Sequence, residues 1–181
     1  MKALGLLEFS EITRGLVASD RMLKSAPVEL IIATSVCPGK FVILISGEVS
    51  AVKNAVQAGK EAFKEGVIDE LLIPNPHQSL LKALSGTEEV ALERQSLGLI
   101  ETFSVASAIK AADAAAKGGN VVVSEVRLAR GMGGKSVVII LGEVSAVKTA
   151  VKSGIQAVEE GLLVSHAVIS NVNHKLLQSW V

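Results

Sequence analysis

A lone cysteine, Cys37, stands in the turn sequence Cys37-Pro38-Gly39-Lys40. Thiolate sulfur ligates soft metals and iron–sulfur clusters, so this is the residue with the most chemistry to offer. One thiol cannot hold a cluster, which generally takes four ligands. A free cysteine is also often a small buried hydrophobe, and at this point both readings stand. If the turn lines a three-fold axis, three thiolates converge. A second candidate is Ala129-Arg130-Gly131-Met132-Gly133-Gly134-Lys135-Ser136, which looks like a relaxed phosphate-binding loop. A phosphate loop must run into a helix whose amino terminus faces the phosphate. Here Val137-Val138-Ile139-Ile140-Leu141 follows, which is strand chemistry. The loop therefore reads as a flexible glycine hairpin presenting backbone amides and Lys135, not as a nucleotide site. His77, His166 and His174 have no second ligand at metal-binding spacing and read as surface or capping residues. Glu8 and Glu101 recur at the ends of two opening strands and read as structural hydrogen-bonding groups. There is no Ser-His-Asp arrangement.

These loops belong to a duplicated frame. Gly-Glu-Val-Ser-Ala-Val-Lys occurs at 47–53 and again at 142–148. Seven identical residues in a row are the peak of an internal repeat. Leu4-Gly5-Leu6-Leu7-Glu8 matches Leu97-Gly98-Leu99-Ile100-Glu101, and Asp20 and Lys24 match Asp113 and Lys117. The second copy gains two residues around 127–133; Lys40 then meets Lys135, Gly47 meets Gly142, Gly59 meets Gly154 and Gly66 meets Gly161. After one further shift, Ile73-Pro74-Asn75 meets Ile169-Ser170-Asn171, and His77 pairs with Asn173. The repeat divides the chain into a first domain, 1–85, a polar linker, 86–96, with Glu88, Glu89, Glu93 and Arg94, and a second domain, 97–181.

Within a copy the periodicity predicts strand, helix, strand, strand, helix, strand. Residues 4–9 form a short apolar strand. Ile12, Leu16, Leu23 and Ala26 give an amphipathic helix stopped by Pro27. Residues 28–33 and 41–45 are strands, the second an unbroken apolar run that suggests burial on both faces. Glu48 stands at a helix start, where the dipole favours it. Val52, Val56, Gly59 and Phe63 line one face of that helix, as do Val147, Val151, Gly154 and Val158 of its copy, and the repeated glycine suggests close helix packing. Gly66 and Gly161 read as helix stops, 67–73 as the fourth strand and 79–84 as a short last helix. The Ala-rich helix 106–116 allows close approach. Twice over, this is a ferredoxin-like α/β (α+β) sandwich with a mostly antiparallel sheet.

Composition narrows the function. The 18 basic and 18 acidic residues balance to zero, which argues against a nucleic-acid or anionic-membrane binder. No run reaches the ~18–20 apolar residues of a membrane span, and the first residues do not read as a signal peptide. A single cysteine fits a cytosolic protein. Mean hydropathy of +0.47 is high for a soluble monomer and favours apolar surface covered by other subunits over a merely compact core.

Together, Leu4-Gly5-Leu6-Leu7-Glu8, Asp20-x-x-x-Lys24, the turn ending in Gly39-Lys40, the repeated heptapeptide and Ile73-Pro74-Asn75-Pro76-His77 resemble a bacterial microcompartment shell domain. Two such domains in one chain resemble the tandem-domain shell proteins, over essentially the whole length. Within that family the Cys37-Pro38-Gly39-Lys40 and Gly131-Met132-Gly133-Gly134-Lys135 loops look most like those of the iron–sulfur shell proteins of propanediol-utilisation compartments. The resemblance implies a structural protein, not an enzyme: a flat trimer mimicking a hexamer (a pseudohexamer), tiling with other shell proteins into a wall within the bacterial cytoplasm. It implies a pore lined by Pro38, Gly39 and Lys40 of one domain and Gly131, Met132, Gly133, Gly134 and Lys135 of the other. By the same resemblance three Cys37 thiolates share one [4Fe–4S] cluster per trimer, with the fourth iron open to a non-protein ligand. Lys24 and Lys117 match the tile-edge lysines. Asn75 and Asn171 also fall at the edge, where the family often has arginine. The implied partners are further copies of the chain, other shell proteins and an encapsulated or cytosolic redox protein, with no nucleic acid and no membrane. Three functions stay open: a tile whose cluster passes electrons across the wall, a cluster-free tile with a metabolite pore, and a small-molecule sensor.

Overall fold

A computed structural model describes residues 2–86 and 96–180, so most of the expected linker lies outside the described residues. In chain order the elements are β1 (Lys2–Phe9), α1 (Ile12–Ser25), β2 (Glu29–Val36), β3 (Lys40–Glu48), α2 (Val49–Ala62), β4 (Val67–Pro74) and α3 (Gln78–Ser85). The repeat supplies β5 (Ser96–Thr102), α4 (Val105–Gly118), β6 (Val122–Arg127), β7 (Ser136–Gly142), α5 (Val144–Gln156), β8 (Leu163–Ile169) and α6 (His174–Trp180). The strands form two antiparallel sheets, ordered β2-β3-β1-β4 and β6-β7-β5-β8. This is the ferredoxin-like pattern, twice. Among the described residues no helix is long and apolar enough to cross a membrane.

The chain separates into two compact units. The first runs to Pro76 and includes Ser104–Ala106 and Ala129–Gly134; the second holds the other described residues. Helix α3, which follows the first repeat in sequence, belongs to the second unit, where Ser79 Oγ accepts the Val123 amide at 2.7 Å. In the first unit, Leu7, Phe9, Phe41, Ile43 and Ile45 meet Ala18, Met22, Val52, Ala55 and Val56 of the covering helices. Residues 41–46 of β3 are all buried, as their unbroken apolar run suggests.

Helix α1 corrects one expectation. Its inward face is Gly15, Ala18, Ser19 and Met22, whereas Ile12, Leu16, Val17 and Leu23 are 39, 54, 48 and 38% exposed. At Gly15 the reason is spacing: a Cβ there would stand 2.6 Å from Phe41, so the helix lies too near the sheet at that point for a larger residue. The helix ends as expected before Pro27, with Ala26 extended at φ −158. A second correction concerns Gly66. Helix α2 ends at Ala62, and Gly66 closes a separate 3-10 turn, Lys64–Gly66.

Gly161 likewise follows the end of α5 at Gln156 rather than stopping it, whereas Gly59 and Gly154 act as read. A Cβ on Gly59 would fall 2.6 Å from Met22 Cγ, and one on Gly154 would fall 2.5 Å from Ile100 Cδ1 and 3.0 Å from the Ala111 carbonyl of α4. The Ile100 tip can rotate away; the α4 backbone cannot. Gly154→Ala is therefore expected to cost about 1–3 kcal/mol, read from the urea midpoint.

Candidate functional site

Cys37 follows directly on β2 at the head of a tight turn. Its sulfur-bearing residue is half-buried, while Pro38 and Gly39 are exposed. The Gly39 amide donates to the Val36 carbonyl at 2.9 Å. Within the same unit, the Cys37 amide donates to the Ala129 carbonyl at 3.0 Å, and Arg130 Nη2 donates to Thr34 Oγ1 at 2.8 Å. Gly134 has φ +84, and a Cβ there would stand 2.9 Å from the Cys37 carbonyl oxygen and 3.0 Å from Pro38 Cδ. Only glycine meets both demands. The glycine segment Ala129–Gly134 thus braces the cysteine turn. Ala129 itself is fully buried with φ 42, an unusual conformation for a residue with a side chain. Gly131 and Gly133 are exposed and Met132 is half-buried. Ser136 begins strand β7, in keeping with the exclusion of a phosphate loop.

The two loop lysines are held inside the chain. Lys40 Nζ lies 2.5 Å from Glu8 Oε1 and 3.3 Å from the Gly134 carbonyl. Glu8 is fully buried, and its other oxygen accepts the Val105 amide at 2.7 Å, at the first turn of α4. A carboxylate is favoured there by the unpaired amides and dipole of a helix start. In the second unit, Lys135 Nζ lies 2.6 Å from Glu101 Oε1, and the Ser165 hydroxyl donates to Glu101 Oε2 at 2.9 Å. Each loop lysine is thus compensated by a glutamate placed by the repeat. Two turn amides, those of Cys37 and Gly39, are likewise engaged. Glu8 and Glu101 are the structural hydrogen-bonding groups that their recurrence suggested.

The hydrogen bond from Lys135 is the largest influence on Glu101 and holds its carboxyl below the ordinary 4.5. Partial burial pulls the other way, while the Ser165 hydrogen bond and the Lys135 charge add to the lowering. A depressed native pKa contributes stability above the unfolded value and loses it as pH falls through the native one. Glu101→Gln is therefore expected to lower stability at neutral pH and to flatten its decline below about pH 4.5, as measured by urea unfolding across pH.

The edge residues separate by environment. Lys24 pairs with Asp20 at 2.7 Å in the open, with side chains 75 and 60% exposed. Lys117 pairs with Asp113 at 2.5 Å, where Asp113 is only 10% exposed. Asn75 and Asn171 both adopt left-handed backbone, at φ 56 and 48. Asparagine tolerates that conformation better than most side chains, a local reason for its presence at both positions. His77 caps α3, its Nδ1 accepting the Ser79 amide at 3.2 Å, and Asn173 Oδ1 accepts the Lys175 amide at 3.0 Å in the corresponding place. Sequence reasoning missed two contacts. Ser104 Oγ donates to Asp69 Oδ2 at 2.5 Å, and the His77 amide donates to Asp113 Oδ1 at 2.8 Å. Neither has a local sequence signal, since the partners are 35 and 36 residues apart. Among the described residues no three His, Cys, Asp or Glu side chains gather into a metal site.

Two antiparallel βαββαβ units, with turns after β2 and β6 that differ in length and chemistry, form a tandem-domain architecture. Residues 3–76 and 96–172 each match the BMC domain, and the chain belongs to that family of bacterial microcompartment proteins. It is 40% identical over 181 residues to the microcompartment shell protein PduT of Citrobacter freundii, covering 99% of this chain and 98% of that protein. It is 35% identical over 85 residues to PduA of the same organism, covering 46% of this chain and 91% of PduA. A crystal structure of a microcompartment protein from Desulfitobacterium hafniense DCB superposes with a TM-score of 0.88 at 44% identity, over 98% of this chain and 99% of that one.

Proposed function

We propose that this chain is a structural tile of a microcompartment shell, assembled as a trimer whose three Cys37 thiolates hold one [4Fe–4S] cluster for electron transfer across the wall. The observation that carries the cluster is the placement of Cys37. The thiol stands at an accessible turn whose backbone is pinned by Ala129 and braced by Gly134, not in the apolar core. One chain offers too few ligands, so the donor set fits a cluster only where copies meet. When bound, such a cluster supplies one-electron chemistry. The chain's own part is to fix the sulfur: the Cys37 amide and the Arg130–Thr34 bond hold the turn, and Glu8 removes the nearby Lys40 charge from the loop. Full-length identity to a shell protein supports the tile, together with other shell proteins as neighbours. The exposed apolar residues of α1 support assembly.

Sedimentation and electron microscopy test the tile. Trimers that form two-dimensional sheets are the expected result. A monomer or dimer that changes on binding a small molecule would instead make the protein a sensor. A sheet-forming trimer free of iron would be the metabolite-pore tile.

A further inference from the structure

One charged side chain beside the cysteine turn has no counter-charge. Arg130 is exposed and directly follows Ala129, whose carbonyl accepts the Cys37 amide at 3.0 Å. Ala129 is fully buried with φ 42, so the chain bends sharply where it meets the cysteine and emerges at Arg130. The guanidinium then reaches back to the same segment, where Nη2 donates to Thr34 Oγ1 at 2.8 Å. Thr34 lies on β2, three residues before Cys37, and all of these residues belong to the first unit. At ~3.3 Å per strand residue, the guanidinium is held on the order of 10 Å from the cysteine.

The two cations nearest Cys37 in sequence or in the bracing segment differ in their partners. Lys40 is neutralised by Glu8 at 2.5 Å. Among the described residues no carboxylate pairs with Arg130, whose partner is a neutral hydroxyl. The chain as a whole carries no net charge, so a local unpaired cation dominates the field at the turn. Bracing alone does not account for this residue. The turn is already tied through the Cys37 amide and pressed by Gly134, and an exposed bond to a hydroxyl adds little. Glutamine could donate a similar bond. Arginine adds a positive charge that does not dissociate.

We propose that Arg130 sets the reduction potential of the cluster held at Cys37, raising it through the positive charge it fixes beside the turn. The inference rests on the cluster reading above. Uptake of one electron adds one negative charge at the site, with no bond broken and no proton moved. A cation nearby stabilises that reduced form more than the oxidised one. Three copies of the chain bring three guanidinium groups around one cluster. Arg130 is exposed, so the attraction is that of a well-solvated charge, and three such charges at ~10 Å together shift the ratio of reduced to oxidised cluster about tenfold.

Reductive titration with dithionite, followed by electron paramagnetic resonance, tests this on anaerobically reconstituted protein. Arg130→Gln is expected to hold as much iron as the native protein and to have a potential lower by about 59 mV, the one-electron equivalent of tenfold. Arg130→Lys keeps the charge and is expected to stay near the native potential. Thr34→Val removes the hydrogen bond but keeps the charge, and is expected to shift by less than half as much as Arg130→Gln. Equal potentials in native and Arg130→Gln proteins of equal iron content would overturn the inference and leave the cluster reading standing. Arg130→Lys or Thr34→Val shifting as far as Arg130→Gln would do the same, because the residue would then act only by positioning the turn. A native protein without iron would overturn the cluster reading and this inference together. Should Arg130→Gln fail to fold or to take up iron, the salt dependence of the native potential decides. Salt screens an exposed charge over ~10 Å at ~0.1 M, so the potential is expected to fall as salt rises. A potential independent of salt would overturn the inference.

Discussion

Cys37→Ser is expected to remove all iron from the protein while leaving its sedimentation unchanged. Serine keeps the size of the side chain and the backbone hydrogen bond to Ala129, which involves the Cys37 amide and not its sulfur. It removes the only thiolate in the chain. Three hydroxyls are poor ligands for a soft cluster, so the loss is complete: from about four irons per three chains to none. Metal analysis and sedimentation of the anaerobically reconstituted variant check both halves of this result. Loss of the assembly in Cys37→Ser would show instead that the thiol is a packing residue.

Lys40→Met is the substitution expected to cost the most stability. Glu8 is fully buried and Lys40 only 12% exposed, so removing the ammonium leaves a carboxylate without its charged partner in an interior site. Breaking a buried pair from one side typically costs about 3–5 kcal/mol. The Val105 amide still donates to Glu8 but does not balance a full charge. Adding Glu8→Gln is expected to recover most of the loss, because the amide oxygen can still accept from Val105 and no unpaired charge remains. Urea midpoints of the single and double variants at one fixed protein concentration measure the difference. A single variant within 1 kcal/mol of the native protein, the range of an exposed pair, would show that the pair is effectively solvated.

The face of α1 and the partners of the loop lysines both lie beyond the reach of local sequence pattern. The repeat and the period of apolar residues were enough to read both βαββαβ units, because strands such as β3 and helices such as α2 are patterned by their own sheet. Gly59 and Gly154 were legible for the same reason: a small residue on an apolar helix face has no other local use. The face of α1 was misjudged because Ile12, Leu16 and Leu23 do form an apolar stripe, but the sheet takes Gly15, Ala18, Ser19 and Met22. Hydropathy marks an apolar stripe, not which surface of the chain covers it. The pairing of the loop lysines was not legible because their partners are remote. Glu8 is 32 residues from Lys40, and Val105 is 97 residues from Glu8. No window of sequence contains such a triad, although the recurrence of Glu8 and Lys40 as Glu101 and Lys135 marked the positions. Asn75 and Asn171 hid a different signal, since a left-handed backbone residue leaves little trace in hydropathy.

The roles of the two loops also follow from duplication. Six identical turns could not differ. Two turns per chain can, and here one carries Cys37 while its counterpart carries Gly131, Gly133 and Gly134. Gly134 serves the cysteine turn directly, so Gly134→Ala is expected to disturb iron binding without touching a ligand.

The central claim is that three copies of Cys37 hold one cluster. Iron and acid-labile sulfide analysis of the anaerobically purified native protein, with electron paramagnetic resonance before and after reduction, tests it most directly. About four irons and four sulfides per three chains, with a signal that appears on reduction, is the predicted result. A colourless, iron-free protein after anaerobic reconstitution would contradict it.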